Sequence, residues 1–479
     1  MKANHSFRDL GLAAALSIVL TSPALAQDTP DASAAEAPSP APPAMRVPAN
    51  SIPALRQKLS TAYEAKDYAT MLEAAEALHQ QRPWNATYMA YLVVAYALTE
   101  NRPKGYEMML TMQQQGLSYD FNSTDDTQFL RGTEAYEYIN DLMIRAGEPA
   151  GEARVEFTLP EALVLPTAID WDPTREAFLV ANAREGAVFR VKPDGETENL
   201  LAADEENGLW SLFGLEVDAD NDRLWLTTAA NPNFVGFKPE DAGRSALVEV
   251  RLSDMELLAR YPVPADGRPH RLGDLALGAD GSVFTVDTIL PIVYRLDREQ
   301  GRLQAYVASA DSVSFRGMTA SDDGKLLYVA DHEMGIMALD LEARRAARVT
   351  GPETLNFGGI EGIEFWNGHL VIIQNGNPPQ RILRLKLAED RITVDGVSPL
   401  AVAQPFFNFP NYGTLLNGRL VFFADSHWVV GDQELEPVKV ASTDVANAPE
   451  LMAPDMDKFW DEYYEKQGIP RPDETRVQP

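Results

Sequence analysis

The sequence predicts a multidomain α and β protein, in which an N-terminal α-helical, repeat-like domain precedes an all-β six-bladed propeller. Three observations lead to this prediction. One pattern of short strands recurs six times between residues 151 and 441, residues 51–148 carry apolar residues at helical spacing, and a spare strand-like segment precedes the first copy. The 479 residues exceed what one ordinary core holds, so two or more domains are expected.

The repeated pattern is clearest in Ser314–Leu341. An apolar run leads to the turn Asp323-Gly324, an alternating strand follows, and the polar tip Asp331-His332-Glu333 precedes a further strand. An Asp-Gly pair between alternating segments predicts a β-hairpin with a type I′ turn, which needs positive φ at both central residues.

The six copies of this pattern each supply one predicted blade. They begin at Ala168, Gly214, Asp274, Gly317, Gly362 and Gly413, in steps of 46, 60, 43, 45 and 51 residues. Repeats of this length built from short strands are typical of a β-propeller. The last copy is one strand short, and Ala153–Leu159 (ARVEFTL) is a strand without a copy of its own. We therefore expect this segment to close the final blade and remove an open sheet edge.

The N-terminus resembles an export signal. Lys2 and Arg8 precede the apolar run Leu10–Leu20, and Ala24-Leu25-Ala26 forms a small-residue cleavage site. Residues 1–26 are thus predicted to be a signal peptide, and the absence of cysteine suits a secreted protein of the bacterial periplasm. No membrane insertion is expected after cleavage. Residues 27–50, rich in Pro and Ala, are predicted to be a disordered linker.

Residues 51–148 are predicted to be helical. The segments Ile52–Ala65, Tyr68–Gln81, Asn85–Thr99 and Lys104–Gln115 each show one apolar face. The stretch from Ser60 to Asn101 resembles a tetratricopeptide repeat, which leaves two roles open: binding a protein partner, or capping the fold.

Residues 442–479 form the predicted C-terminal tail. It contains one amphipathic helix, in which Phe459, Trp460, Tyr463 and Tyr464 make an aromatic stripe. The expected role of this stripe is packing against the body of the protein or contact with a partner.

Composition excludes several functions. The net charge of −30 argues against nucleic acid, which requires a basic surface. Without cysteine, thiol catalysis and thiolate metal sites are excluded. The chain also lacks G-x-S-x-G, H-E-x-x-H, a P-loop and a dinucleotide fingerprint.

The candidate site lies at the start of the innermost strands, where propeller ligands usually bind. The residues just before each of these strands are Thr167, Phe213, Gly273, Arg316, Glu361 and Tyr412. Arg316 and Glu361 come from adjacent blades, so they could form a buried ion pair or present a guanidinium group to an anion.

Three segments also carry a family resemblance. RLGDLALGADGSVFTVD, RGMTASDDGKLLYVAD and GGIEGIEFWNGHLVI lie within roughly 159–430. They are similar to blades of the senescence-marker-protein/gluconolactonase-like (NHL-like) family of six-bladed, calcium-dependent lactonases and hydrolases. The resemblance implies a divalent ion held by Glu, Asn and Asp positions, which fall at Thr167, Arg316 and Glu361, with a substrate-contacting Asn position at Gly273.

This resemblance implies Glu361 as a calcium ligand and, together with Asp274, as a candidate catalytic residue. Arg316, however, places a permanent cation where a metal ion would bind, whereas a hard cation needs several oxygen ligands. Whether the protein is an enzyme therefore stays open at this point.

Further candidate ligand-binding residues come from the polar tips and the loops beside the predicted channel. Together with Arg316 they are His270, Asp287, Asp331, His332, Asn375, Tyr412, Asp425 and His427. Three functions are consistent with the sequence. They are a propeller that binds a small polar or anionic ligand, a metal-dependent lactonase or esterase, and a pure interaction scaffold. The first is our main expectation.

Overall fold

The structure is a computed structural model that describes residues 48–428 and 435–447. The predicted signal peptide, most of the predicted linker and the tail segment Phe459–Tyr464 lie outside the described residues. The chain divides into two compact units between Ala146 and Gly147. No helix in the described part is long and apolar enough to cross a membrane.

The first unit is helical, as predicted. Its α-helices are α1 (Ile52–Glu64), α2 (Tyr68–Gln81), α3 (Ala86–Leu98), α4 (Arg102–Gln114) and α5 (Glu134–Arg145), with 3-10 turns at Phe121–Ser123 and Asp125–Leu130. Each α-helix begins after a residue whose side chain accepts a hydrogen bond from the first turn: Ser51, Asp67, Asn85, Asn101 and Thr133. These caps satisfy backbone donors that the helix itself leaves unpaired.

Helix α3 organises the helical core because it is apolar on nearly all sides. Met89 and Val93 pack in one cluster with residues of α4 and α5, whereas Leu92 and Ala95 pack in a second cluster with α1 and α2. A helix that is apolar all round must be buried, and here it is covered from two sides. The similarity to tetratricopeptide repeats stays a prediction.

The second unit contains six antiparallel sheets. The strands are β1 (Ala150–Gly151), β2 (Ala153–Thr158), β3 (Pro166–Asp172), β4 (Ala177–Asn182), β5 (Ala187–Val191), β6 (Thr197–Leu201), β7 (Ser211–Asp218), β8 (Arg223–Ala229), β9 (Ser245–Arg251), β10 (Leu257–Pro262), β11 (Leu272–Leu277), β12 (Val283–Asp287), β13 (Ile292–Asp297), β14 (Arg302–Ala308), β15 (Phe315–Ala320), β16 (Leu326–Asp331), β17 (Gly335–Asp340), β18 (Arg345–Arg348), β19 (Ile360–Trp366), β20 (His369–Gln374), β21 (Arg381–Leu387), β22 (Val394–Val402), β23 (Gly413–Leu416), β24 (Arg419–Phe423) and β25 (Lys439–Asp444).

These sheets are the six predicted blades of a β-propeller. Blades 1 to 5 use β3–β6, β7–β10, β11–β14, β15–β18 and β19–β22, and the first strand of each blade contacts the first strand of the next blade. Strand β23 of blade 6 contacts both β19 and β3, which closes the ring.

The closing strand was predicted correctly. Blade 6 takes β23, β24 and β25 from the end of the propeller sequence, and β2 pairs antiparallel with β25 as its fourth strand. The short β1 pairs with β22, the outermost strand of blade 5. The segment 150–158 therefore joins two neighbouring blades, which the sequence did not indicate.

The type I′ turn expected at Asp323-Gly324 is wrong. Gly324 has φ +61, but Asp323 does not have positive φ, and its carboxylate accepts hydrogen bonds from the Ser321 hydroxyl (2.8 Å) and the Lys325 backbone N–H (3.1 Å). In blades 5 and 6 the turns Asn367-Gly368 and Asn417-Gly418 do have positive φ at both residues. Asn tolerates the left-handed region, whereas Asp here caps the turn instead.

Candidate functional site

The column residues were expected just before the innermost strands, but in blades 1 to 5 they lie within the first residues of these strands, at β-bulges, and only Tyr412 precedes its strand. In blades 1 to 5 the pairing between the first and second strands shifts register within the segments 166–168, 212–214, 272–275, 315–318 and 360–362. A bulge inserts one residue and re-aims its side chain. The shift therefore coincides with Thr167, Phe213, Gly273, Arg316 and Glu361 in five successive blades.

Four residues predicted from the sequence meet at this end of the channel, and we call them the mouth cluster: Arg316, Glu361, Tyr412 and His332. Arg316 Nε lies 3.5 Å from Glu361 Oε2, Tyr412 donates a hydrogen bond to Glu361 Oε1 at 3.4 Å, and His332 Nε2 lies 3.8 Å from Glu361 Oε2. The side chains of Arg316 and Glu361 are 24% and 19% exposed, so neither is fully buried, although the Arg316 Nε atom itself is.

Burial and neighbouring charges determine the protonation states of Arg316 and Tyr412. Burial works to lower the pKa of Arg316, but Glu361 and then Tyr412 outweigh it, so the pKa of Arg316 is raised. Burial, followed by the Glu361 carboxylate, raises the pKa of Tyr412 well above its ordinary value. Arg316 therefore stays charged, and Tyr412 keeps the proton that it donates.

Arg271 adds a second guanidinium group that sequence reasoning missed. Its Nε donates to Thr288 Oγ1 at 2.7 Å, and its Cζ lies 5.4 Å from the ring centroid of Phe213. The Phe213 ring in turn lies 5.9 Å from that of Trp428. Burial, followed by the nearby Arg316, lowers the pKa of Arg271. Little in the sequence indicated a role for Arg271, because it stands two residues before Gly273, which is the column residue of blade 3.

The strand-exit carboxylates have a different environment from the mouth cluster, and we call Asp287, Asp331 and Asp425 the staple carboxylates. Asp331 accepts backbone hydrogen bonds from Val313, Ser314, Glu333 and Met334. Asp287 accepts them from Arg271, Ile289 and Leu290, and Asp425 accepts one from Lys439. These carboxylates hold loops to their blades, which is a structural role.

The remaining predicted residues make separate local contacts. His270 Nδ1 lies 2.7 Å from Asp287 Oδ2, and His270 Nε2 lies 3.0 Å from Asp266 Oδ1. His427 Nδ1 accepts a hydrogen bond from the Leu165 N–H, and Asn375 Nδ2 donates to the Pro410 carbonyl. The structure therefore does not bring the polar tips together as one cluster. Their role in ligand binding stays a prediction.

Asp274 lies deeper, in the channel itself. A cavity of about 360 Å³ is lined by acidic side chains that include Asp170, Glu216, Asp274 and Glu364, and Tyr412 also lines it. Asp274 accepts hydrogen bonds from the backbone N–H groups of Leu275 and Met318, which links blades 3 and 4.

Burial raises the pKa of each of these channel carboxylates, that of Asp274 to about 7. Sequence reasoning missed Asp170, Glu216 and Glu364. Each is the third residue of its copy, and alternation along the strand would have placed it on the channel side.

The residues at the implied metal positions do not fit a divalent cation. Thr167 Oγ1 is within hydrogen-bond distance of the carbonyl oxygens of Ala181 and Leu212, and Arg316 is itself a cation. Across residues 48–428 and 435–447, no group of three or more His, Asp or Glu side chains is arranged to hold a metal ion. Glu361 is thus the one implied ligand with suitable chemistry, and it already pairs with Arg316.

The chain resembles known proteins in its fold alone. No protein-family model matches the chain, and no curated protein matches it. Among solved structures, the PQQ-bound form of an aldose sugar dehydrogenase from Streptomyces coelicolor is 15% identical, with a TM-score of 0.43, over 62% of this chain and 99% of that chain.

A gluconolactonase from Xanthomonas campestris is 16% identical, with a TM-score of 0.42, over 62% of this chain and 89% of that chain. Regucalcin, a calcium-binding protein from Agrobacterium tumefaciens, is 13% identical, with a TM-score of 0.43, over 62% of this chain and 97% of that chain. The chain is a six-bladed β-propeller protein with an N-terminal helical region, as its own sheets and helices show.

Proposed function

We propose that this protein is an exported binding protein whose channel mouth takes a small organic monocarboxylate. The observation that carries the proposal is the state of Arg316. Its Nε makes no hydrogen bond with any of the described residues, and the nearest carboxylate oxygen lies 3.5 Å away. A guanidinium group has five N–H donors and is suited to a carboxylate in a two-point contact.

The hydrogen-bonding groups of the mouth support an acceptor-rich ligand. Arg316, the terminal nitrogen atoms of Arg271 and the Tyr412 hydroxyl are donors, whereas Glu361 supplies two acceptor oxygens. Phe213 and Trp428 add aromatic surface beside Arg271. A carboxylate with a compact apolar or ring-shaped body complements both properties.

Calorimetry on the mature protein tests this proposal. Acetate, benzoate and gluconate would each be titrated beside the corresponding neutral amide. At least one carboxylate should bind while its amide does not. Arg316→Ala should weaken that binding about tenfold to a hundredfold, the usual value of a hydrogen bond to a charged group.

Arg345→Ala is the matched control, since Arg345 lies exposed on the outermost strand of the same blade. This variant should bind as the wild type does. Equal binding of acid and amide, no binding by any of the acids, or full binding by Arg316→Ala would contradict the proposal.

The metal-dependent lactonase or esterase is the alternative, with calcium on Glu361. Elemental mass spectrometry of the purified protein distinguishes the two functions. One calcium ion per chain, lost in Glu361→Ala, together with a rise in melting temperature on adding calcium to the wild type, would favour the hydrolase. Arg316 opposes this outcome because its charge repels a cation bound at the same carboxylate.

Export and a role for the helical unit belong to the same proposal. The signal-peptide pattern of residues 1–26 supports the periplasm, and the separate core of α1–α5 supports a unit that binds a partner protein or caps the fold. Fractionation of bacteria that carry the tagged full-length chain tests the location. Retention of the uncleaved chain in the cytoplasm would contradict export.

A further inference from the structure

His270 is buried between two carboxylates, two residues before β11. Its exposed fraction is 5%, with Asp287 Oδ2 at 2.7 Å from Nδ1 and Asp266 Oδ1 at 3.0 Å from Nε2. An ionised carboxylate only accepts hydrogen bonds, and a neutral imidazole donates from one nitrogen alone. Both contacts are therefore hydrogen bonds only when the ring is an imidazolium.

We propose that His270 is a positioning residue, and that its protonated form holds Arg271 in the anion site so that acidification tightens anion binding. The inference rests on the proposed function, because Arg271 is one of the two guanidinium groups at the channel mouth. It assigns His270 a task that requires no contact with the ligand.

The connection from His270 to Arg271 runs through Asp287 and Thr288. Asp287 Oδ1 accepts the backbone N–H of Arg271 at 3.3 Å, while Asp287 Oδ2 faces His270. The Arg271 carbonyl accepts the Thr288 N–H at 2.8 Å, and the Thr288 hydroxyl accepts from Arg271 Nε at 2.7 Å. A change in the His270–Asp287 contact can thus reach the backbone of Arg271 through a single residue, Asp287.

The other titratable groups around His270 are carboxylates, arginines and one tyrosine. Hydrogen bonds from Arg268 hold the pKa of Asp266 far below its usual value, and burial raises the pKa of Tyr294, whose ring faces His270, to about 12. The β8–β9 loop accepts the His270 N–H at Gly243, and its Asp241 and Arg244 pair with each other at 3.0 Å. Among these groups, the imidazole is the side-chain type that changes charge between about pH 5 and 8.

Hydrogen exchange on the full mature chain tests the inference without any ligand. The peptide 263–275 would be followed at both ends of that pH range, with exchange corrected for its intrinsic pH dependence. In the wild type its protection should fall about fivefold or more as the pH rises, a usual size for coupling between sites. In His270→Gln the protection should be low at both pH values, whereas His369→Gln, which alters a histidine at the β19–β20 turn, should behave as the wild type does.

Asp266→Asn provides a second variant should His270→Gln fail to fold. It removes one of the two negative charges that favour the imidazolium, so the pH at which protection falls should move lower. Protection that is independent of pH in the wild type, or unchanged in both variants, would overturn the inference.

Binding of the carboxylate identified above, benzoate for example, gives the functional measurement. Its affinity should rise about fivefold or more on acidification in the wild type, and this dependence should be lost in His270→Gln. His369→Gln should keep it, because this histidine lies at the β19–β20 turn and is not a member of the mouth cluster. Loss of the dependence in His332→Gln alone would contradict a role for His270. Absence of carboxylate binding at every pH would contradict the proposed function, and the exchange result would still decide whether His270 holds the Arg271 segment.

Discussion

The staple carboxylates and the mouth cluster lie at the same end of the strands, yet their hydrogen bonding differs. Asp331 is 1% exposed and accepts four backbone N–H groups. Arg316 is 24% exposed, and its Nε has no hydrogen-bond acceptor among the described residues. Both would be called polar residues near a channel if their sequence positions were the only information.

Hydrogen bonding thus distinguishes side chains that stabilise the propeller from side chains available to bind a ligand. A buried polar group whose bonds are complete contributes to stability, and its removal leaves donors unsatisfied. A partly exposed charge with few completed bonds contributes little to stability and is free to bind a ligand. We therefore expect substitutions of the staple carboxylates to change stability and substitutions in the mouth cluster to change ligand binding.

The largest expected effect on stability is in the staple group. Asp331→Ala should lower the free energy of unfolding by about 3 kcal/mol, because several buried N–H groups lose an ionised acceptor. Urea unfolding measures it, with Glu342→Ala, an exposed side chain of the same blade, as the control. A loss no larger than that of the control would remove the distinction between the two groups.

A smaller effect, with a defined pH dependence, is expected in the channel interior. Burial raises the folded pKa of Glu364 well above 4.5, so the folded state holds the proton more tightly than the unfolded chain does. Stability from this group is thus present at low pH and is lost as the pH rises through the folded value. Glu364→Gln removes the ionisation and should stabilise the protein by about 1 kcal/mol at pH 8.

Thermal unfolding of Glu364→Gln and wild type from about pH 5 to 8 measures how the difference in their stability changes with pH. The advantage of the variant should grow with pH, while Glu342→Gln should show no such growth. A stabilisation that shrinks as the pH rises would mean that Glu364 has a partner that favours its charge.

The smallest expected effect concerns Glu361, whose carboxylate competes with the carboxylate of the ligand for Arg316. Glu361→Gln keeps the shape of the side chain but removes the negative charge that competes for Arg316. Carboxylate binding should therefore tighten about fivefold, close to 1 kcal/mol, the upper range for an accessible ion pair. Calorimetry measures it, and binding of the neutral amide should not change. Weaker carboxylate binding would show that Glu361 helps to hold the ligand.

Much of the fold could be predicted from the sequence, because strands, turns and repeats are local patterns. The six copies and the closing segment Ala153–Leu159 were sufficient for the ring, and the column position paired Arg316 with Glu361. The role of Asp287 could not be predicted in this way. A carboxylate in solvent and one that caps backbone N–H groups look the same in a single sequence.

Arg271 shows a second limit. It reaches the mouth from outside the column, because blade 3 has a glycine at the column position and the preceding loop supplies the guanidinium group instead. A repeat alignment compares equivalent positions, so it misses a side chain that enters from a neighbouring one. The turn at Asp323-Gly324 was misassigned for a similar reason, since side-chain contacts decided the backbone conformation.

Carboxylate binding at the channel mouth can be tested by a crystal structure of the mature protein with 4-bromobenzoate, in which anomalous scattering locates the bromine atom. We expect a bromine peak at the channel mouth beside Phe213 and Trp428, with the carboxylate within hydrogen-bond distance of the Arg316 and Arg271 guanidinium groups. A metal ion bound to Glu361, with Arg316 turned away and no bromine at the mouth, would contradict it.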